Sequence, residues 1–419
     1  MIVSRRSLLP IVFVLPLALL LMGCSSLHSS ASHPTTTTLS HSTTTSTTSP
    51  SGPPATTDTL TSIAFFNSMD GYGLFTRQGG INCENLVGPT ADGGVTFGPL
   101  VAVTSWTCGN GGSAGSLAFD DHGDGFLYGP DLVVTHDGGK SWVQNSQPGT
   151  VLSVEALGSS VWMLETGCPS TSSSATCPLR LLESPDGGRS WSASSAAPPG
   201  ALGSPHLEAA LGQTWLVRLS QLSAYLLTSP ASNQQGLPDH APLWFTQDGG
   251  KSWVNRSIPC PIDGQSMVLS AAPTGALLAV CAGEPGAGSQ AKSALRSTDG
   301  GATWTVQLSC PFTGSADPSS CASDPLDLGY LGGIDAVSAE TVFLYGDRSS
   351  LLVSHDAGVQ WQAVQPPIGD TSAGTQQTIF FNGSNGVVLG EDGNNNDVST
   401  LWSTSDGGAQ WIAVVPETN

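Results

Sequence analysis

Thr135-His-Asp137-Gly-Gly-Lys-Ser-Trp142 is one copy of a phrase that recurs along this 419-residue chain. It returns as Ser184-Pro-Asp186-Gly-Gly-Arg-Ser-Trp191, Thr246-Gln-Asp248-Gly-Gly-Lys-Ser-Trp253 and Ser297-Thr-Asp299-Gly-Gly-Ala-Thr-Trp304. Further copies are Ser354-His-Asp356-Ala-Gly-Val-Gln-Trp361 and Thr404-Ser-Asp406-Gly-Gly-Ala-Gln-Trp411, and a worn first copy is Thr90-Ala-Asp92-Gly-Gly-Val-Thr-Phe97. Successive Asp residues are 45, 49, 62, 51, 57 and 50 positions apart. A sustained period near 50 means small sheets repeated around an axis, so a seven-bladed all-β propeller is expected.

Outward from each phrase, the sequence reads as four short strands, A to D. In the sixth copy Ile334–Val337 and Thr341–Tyr345 are A and B, Leu351–Ser354 is C, and Trp361–Val364 is D. Short runs of β-branched and aromatic residues bounded by Gly, Asn and Asp carry that signal. The phrase itself becomes the C–D turn. Its Asp accepts backbone amides across the turn, its glycines supply positive φ, and its Trp buries a ring between sheets. Six of the eleven Trp occupy that slot: Trp142, Trp191, Trp253, Trp304, Trp361 and Trp411.

The pattern Ser/Thr-x-Asp-x-Gly-x-x-Trp resembles the Asp-box or BNR repeat of sialidases, some glycoside hydrolases, sortilin-type receptors and photosystem II assembly-factor propellers. The stretches Leu117–Gly129 and Ile379–Gly390 read as strand, polar turn, Gly, apolar strand and Gly. That rhythm is most similar to the photosystem II assembly-factor type, which is non-catalytic. The resemblance implies that the C–D turns lie opposite the ligand face and that Asp92, Asp137, Asp186, Asp248, Asp299, Asp356 and Asp406 are structural. It implies that the B–C and D–A loops form the working face.

The first 23 residues read as a lipoprotein signal peptide. Arg5 and Arg6 precede the apolar run Ile11–Met22, which is short for a membrane span and suited to a signal. Leu21-Met22-Gly23-Cys24 resembles a lipobox, which implies cleavage before Cys24 and acylation of its thiol. Ser4-Arg5-Arg6-Ser7 also resembles a twin-arginine signal, so both export routes stay open. Residues 24–58 are expected to be the lipidated Cys and a tether: Ser and Thr fill 21 of positions 25–58, too polar a composition to form a core. The propeller is expected over 59–419.

The formal charge is −20, and about −22 once Arg5 and Arg6 are removed with the signal. So acidic a chain has no basic footprint for nucleic acid. It is expected to meet the membrane through its acyl chain alone and to be monomeric. Beyond Cys24, eight cysteines fall into neighbouring pairs in chain order: Cys83/Cys108, Cys168/Cys177, Cys260/Cys281 and Cys310/Cys321. Eight cysteines permit 105 connectivities. All eight map to B–C or D–A connections, so four neighbour disulfides are expected on one face. Insertions are expected in the B–C loops at 167–178, 220–241, 282–292 and 391–399, with another at 310–327 between blades.

The preferred function is non-catalytic recognition of an envelope protein or glycan by the loop-rich face. The alternative is a sialidase-like glycoside hydrolase. That family carries an Arg triad, a Tyr–Glu nucleophile pair and an Asp acid. Here Arg77, Arg218 and Arg348 fall at or near B-strand ends, while the early strand Ser62–Phe66 has no Arg. Asp120, Glu155, Glu208 and Asp335 map to A strands, where two carboxyls at suitable separation could act as an acid/base pair or hold a cation. Asp392-Gly-Asn-Asn-Asn-Asp397 has oxygens at calcium-loop spacing, but Asp397 and Ser403 stand where that loop needs Gly and Glu. No metal and no cofactor are expected.

Overall fold

A computed structural model describes residues 57–419 apart from 109–114, 121, 130, 148, 168–176, 195, 197–200, 203–213, 229–241, 263–265, 287–288, 311–325, 327–328, 348–350, 365–374, 392–398, 415–416 and 419. Seven sheets each run A-B-C-D in chain order, with antiparallel neighbours. Blade 1 is Thr57–Phe65, Gly71–Gly79, Asn82–Thr90 and Val101–Thr107. Blade 2 is Ser116–Phe119, Gly125–Tyr128, Val133–Thr135 and Val143–Gln144; blade 3 is Val151–Leu157, Ser160–Thr166, Cys177–Ser184 and Ser192–Ala193. Blade 4 is Thr214–Arg218, Ala224–Thr228, Leu243–Thr246 and Val254–Asn255; blade 5 is Ser266–Ala271, Leu277–Gly286, Ser289–Ser297 and Thr305–Cys310. Blade 6 is Tyr330–Ala336, Val342–Asp347, Leu352–Ser354 and Gln362–Ala363; blade 7 is Thr375–Phe380, Gly386–Glu391, Ser399–Thr404 and Ile412–Val414. The expected seven-bladed, four-stranded propeller is therefore the fold.

Both faces of each sheet are covered, which explains why the strands read as continuous apolar runs. Successive residues point to opposite faces. Phe126 and Tyr128 thus pack toward blade 3, while Leu127 between them packs toward blade 1. The core lies between blades rather than within each one. Apolar clusters join blades 1 and 2, 2 and 3, 3 and 4, 4 to 6, 6 and 7, and 7 and 1.

A size rule governs the A–B turns. Phe65, Phe119 and Phe380 end strand A and face Gly71, Gly125 and Gly386 across the ladder. A Cβ on Gly125 would sit 2.3 Å from Phe119, and one on Gly386 would sit 2.4 Å from Phe380. In blades 5 and 6 the sizes are reversed: Ala271 faces Leu277 and Ala336 faces Val342. The folded-over rings then stack on the preceding blade, Tyr72 on Phe119 at 3.7 Å and Phe343 on Phe380 at 3.4 Å.

The ring closes on a glutamine. Gln377, in strand A of blade 7, donates from Nε2 to the Ile63 carbonyl at 2.6 Å and accepts the Ile63 amide at Oε1 at 3.0 Å. Ser62 Oγ donates to the same oxygen at 3.3 Å. Leu60, Ile63 and Phe75 of blade 1 pack there on Ile379, Leu389 and Leu401 of blade 7. Among the described residues each four-stranded blade is contiguous in sequence. The last segment, Glu417–Thr418, pairs in parallel with Thr96–Phe97, the end of the worn first phrase.

Three expectations are corrected. In blade 4, Thr214↔Thr228 and Arg218↔Ala224 pair, so Arg218 ends strand A rather than B, and 220–223 is the A–B turn rather than part of a B–C insertion. Leu207–Leu211, Trp215–Val217 and Tyr225–Leu227 are all apolar runs, and periodicity alone does not say which two pair. In blade 5, most of 282–292 is strand, paired as Ala282↔Lys292 and Gly286↔Ser289. The box tryptophans each sit one residue before strand D, and among the six only Trp361 is buried. Trp142, Trp191 and Trp411 lie half-buried, edge-on to Phe119, Phe126 and Phe380.

Candidate functional site: the loop-bearing face

In this meander the A–B and C–D turns share one face, and the B–C and D–A connections share the other. The first face is closed by its own bonds. Each of the seven Asp accepts at Oδ1 from the Ser or Thr hydroxyl two residues earlier and from the amide four residues later. In blades 1 to 5 the residue four later is Ser or Thr, and its hydroxyl donates to Oδ2 at 2.6 Å. In blades 6 and 7 that residue is Gln360 or Gln410. The hydroxyl's donation is the main reason that Asp137, Asp186, Asp248 and Asp299 are held down at about 2. Asp406, bonded chiefly by the Gln410 amide, is also lowered. Asp124 ties blades 2 and 3 on this face, with His136 Nδ1 at 2.9 Å and Arg189 at 3.1 and 3.2 Å.

The opposite face is braced at three blades. In blade 1, Arg77 donates from Nε and Nη2 to both oxygens of Asp58 at 2.6 and 2.7 Å, a bidentate pair. Beside it Cys83, in strand C, is bonded to Cys108, which follows strand D. In blade 3, Arg180 lies 3.0 Å from the fully buried Glu165, whose carboxyl burial pushes up. In blade 5, Lys292 is fully buried and donates to the carbonyls of Gln290 and Gly329 at 2.9 and 3.0 Å. Gln290 Oε1 accepts the Leu331 amide at 3.1 Å, and its Nε2 donates to Gly283 O at 3.0 Å. These bonds lock the long blade 5 hairpin to the entry of blade 6. Cys260 is bonded to Cys281 near the same hairpin, and Cys310 is also disulfide-bonded. Cys24, Cys168 and Cys321 lie outside the described residues, as does the side chain of Cys177.

No family model matches the chain. Among curated proteins, the photosystem II assembly lipoprotein Ycf48 of Synechococcus sp. (strain CC9902) is 25% identical over 312 residues, 66% of this chain and 82% of that protein. The chain is Ycf48-like. The likeness is that of a distant homologue, and the chain's own described strands form seven blades. The solved structure of YCF48 bound to D1 peptide aligns at 18% identity and a TM-score of 0.45, covering 70% of this chain and 78% of that one. YCF48 from Cyanidioschyzon merolae aligns at 17% identity and 0.44, covering 71% and 83%.

In this propeller Arg77 and Arg218, two of the three arginines weighed for a sialidase, do not converge. Arg77 stands at the loop-bearing end of blade 1, paired with Asp58. Arg218 stands at the other end of blade 4, fully buried, and donates to the carbonyls of Glu155 and Ser160 at 3.0 and 2.7 Å and to Ser160 Oγ at 2.9 Å. Its guanidinium lies 4.6 Å from the Trp162 ring, and burial lowers it to about 10. Arg348 lies outside the described residues.

Asp335 and Asp120 have structural partners too. Asp335 Oδ2 accepts the Phe380 amide at 2.8 Å, joining blades 6 and 7. Asp120 falls one residue past strand A and accepts the amides of His122 and Asp124 at 2.9 and 2.8 Å. Glu155 lies on strand A of blade 3, buried near Arg218, and Glu208 lies outside the described residues. Among the described residues no three His, Cys, Asp or Glu gather closely enough for a metal ion. The loop 392–397 is not among them.

Sequence reasoning missed Gln377, Lys292, Gln290 and the Glu165–Arg180 pair. Most of their partners lie in other strands or other blades. Only Glu165 carried a signal, as a carboxylate at the end of the apolar run Val161–Leu164, which marks a buried polar group that needs a partner.

Proposed function

We propose that this chain is a lipid-anchored, non-catalytic propeller that holds a protein client on its loop-bearing face during assembly of an envelope complex. The relationship to Ycf48, itself an assembly lipoprotein, carries this reading. The lipobox-like Leu21-Met22-Gly23-Cys24 supports it, since a lipoprotein relative and an acylatable Cys24 point to one extracytoplasmic membrane surface. The chain then divides as signal peptide 1–23, lipidated Cys24 with its tether to 58, and propeller 59–419. As a flexible coil the tether spans about 30 Å root-mean-square. Cys168–Cys177 and Cys310–Cys321 complete the neighbour pairing that the other four cysteines follow.

The commitment of charged groups also supports binding over catalysis. Asp58, Asp124, Asp335, Glu165 and Arg218 each hold an inter-strand or inter-blade bond, so moving one to serve a substrate would weaken the ring. The test is site-specific photocrosslinking in membranes of the native host. A crosslinker at Ile81, 74% exposed on the loop-bearing face, is expected to trap a protein; one at Leu222, 56% exposed on the other face, is not. Equal trapping from both positions, or release of sugar from glycan substrates by the purified chain, defeats the proposal. Mass spectrometry of the mature N-terminus, with an acylated Cys24 expected, checks the anchor.

A further inference from the structure

The outermost strands are unequal. Strand D is two residues long in blades 2, 3, 4 and 6 and three in blade 7, but Val101–Thr107 of blade 1 is seven. An edge strand offers unpaired amides and carbonyls, and folds blunt that edge by shortness, charge or proline. Val-Ala-Val-Thr-Ser-Trp-Thr has no charge and no proline. Among the described residues no strand pairs with its outer side, and Ala102, Ser105 and Thr107 are exposed. The Cys83–Cys108 disulfide fastens its far end to strand C. Just before it, Thr96–Phe97 already takes on a strand from the chain's own C-terminus.

Resting on the client-binding reading above, we propose that the outer edge of Val101–Thr107 receives an extended, basic segment of the client as a fifth strand of blade 1. Backbone bonds supply the grip, and the rows across the sheet supply the selectivity. One row runs Asp58, Arg77, Glu84, Ser105. Asp58 already occupies Arg77. A residue opposite Ser105 lies two strand spacings, about 10 Å, from Glu84, which a lysine or arginine crosses by reaching over the small serine. The next row places Trp106 beside Cys83 on the other face, where an apolar residue of the client packs on the indole. The mature charge near −22 favours a basic strand over a second copy of this acidic chain. Blade 5 has the next longest edge, Thr305–Cys310, but the strand behind it carries Arg296 and Lys292, which suits a different partner.

The probe is a fluorescein-labelled valine–threonine peptide of about ten residues with a central lysine, titrated against the detergent-solubilised full chain and followed by anisotropy. Saturable binding is expected, with slowed amide exchange confined to Val101–Thr107. Two versions N-methylated on alternate residues keep the charge but block one peptide edge each; one version is expected to weaken binding about tenfold or more and the other to retain it. Glu84→Gln is expected to weaken the lysine peptide about two- to five-fold and to leave a norleucine version unchanged. Equal binding by both N-methylated versions, or protection elsewhere, overturns the proposal. A chain whose Ile81 crosslinks its client while Val101–Thr107 stays unprotected in that complex rejects the edge and keeps the client.

Discussion

Gln377→Leu tests how the ring is sealed. The side chain is buried in the seam between blades 7 and 1 and exchanges two hydrogen bonds with the backbone of Ile63, itself fully buried. Leucine has a similar volume, so the substitution removes polarity with little cavity. It removes the bonds that Gln377 makes to the Ile63 amide and carbonyl, at about 1–3 kcal/mol each, and a third bond, from Ser62, is lost as well. Burying leucine in place of an amide returns about 1 kcal/mol, so the net loss is about 3 kcal/mol. For a chain of this size that lowers Tm by about 4 °C. Calorimetry reads it directly. Exchange protection should fall first in Thr375–Phe380 and Thr57–Phe65, because those strands meet at the seam. Gln362→Leu, on the exposed outer strand of blade 6, is the control and should move stability by less than about 0.5 kcal/mol. A Gln377→Leu chain that melts within about 1 °C of the parent refutes the closure argument.

Three other perturbations probe separate parts of the scheme. Gly125→Ala drives a methyl into Phe119 and should cost about 1–3 kcal/mol, while adding Phe119→Ala should cost less than the sum of the two; strict additivity in urea unfolding would contradict the size rule. Arg218→Met removes the guanidinium's bonds to the Glu155 and Ser160 carbonyls and should destabilise by about 2–5 kcal/mol, read as a shift in urea midpoint; an unchanged midpoint would mean that the clamp contributes nothing. The phrase aspartates act in acid. Asp137, Asp186, Asp248 and Asp299 fall from an ordinary 3.8 to about 2 on folding, so their contribution is complete above 3.8 and is lost as pH drops through 2. Replacing Ser141, Ser190, Ser252 and Thr303 by Ala should move acid unfolding to higher pH, and an unmoved transition would exclude these hydroxyls as the cause.

The fold was legible because its signals are local. Thr135 to Trp142 contains the donor, acceptor and glycines of its own turn, so the blade count needs no long-range information. The Phe119–Gly125 spacing also lies in plain sequence, although only the ladder shows that one residue vacates space for the other. Arg218 was misplaced because three apolar runs compete for two strands, and pairing between chain segments decides among them. Gln377 and Ile63 stand 314 residues apart, and nothing in either neighbourhood announces the other. Two neighbouring cysteine pairs, Cys83–Cys108 and Cys260–Cys281, marked the loop-bearing face in the sequence, but its chemistry was not legible there. Lys292, Gln290 and Glu165 acquire meaning only from the carbonyls, amides and arginine that tertiary folding brings to them.

A ring that closes between its first and last blades has two unfinished ends until its last blade arrives. A chain stopped before Thr375 would leave Leu60, Ile63 and Phe75 of blade 1 bare at one end and Phe343, Tyr345 and Val353 of blade 6 bare at the other. Both surfaces are large and greasy, and both vanish together when the seventh blade seats. Incomplete copies therefore display what proteases and holdase chaperones recognise, and finished copies hide it, so the seam acts as an inspection mark for full-length synthesis.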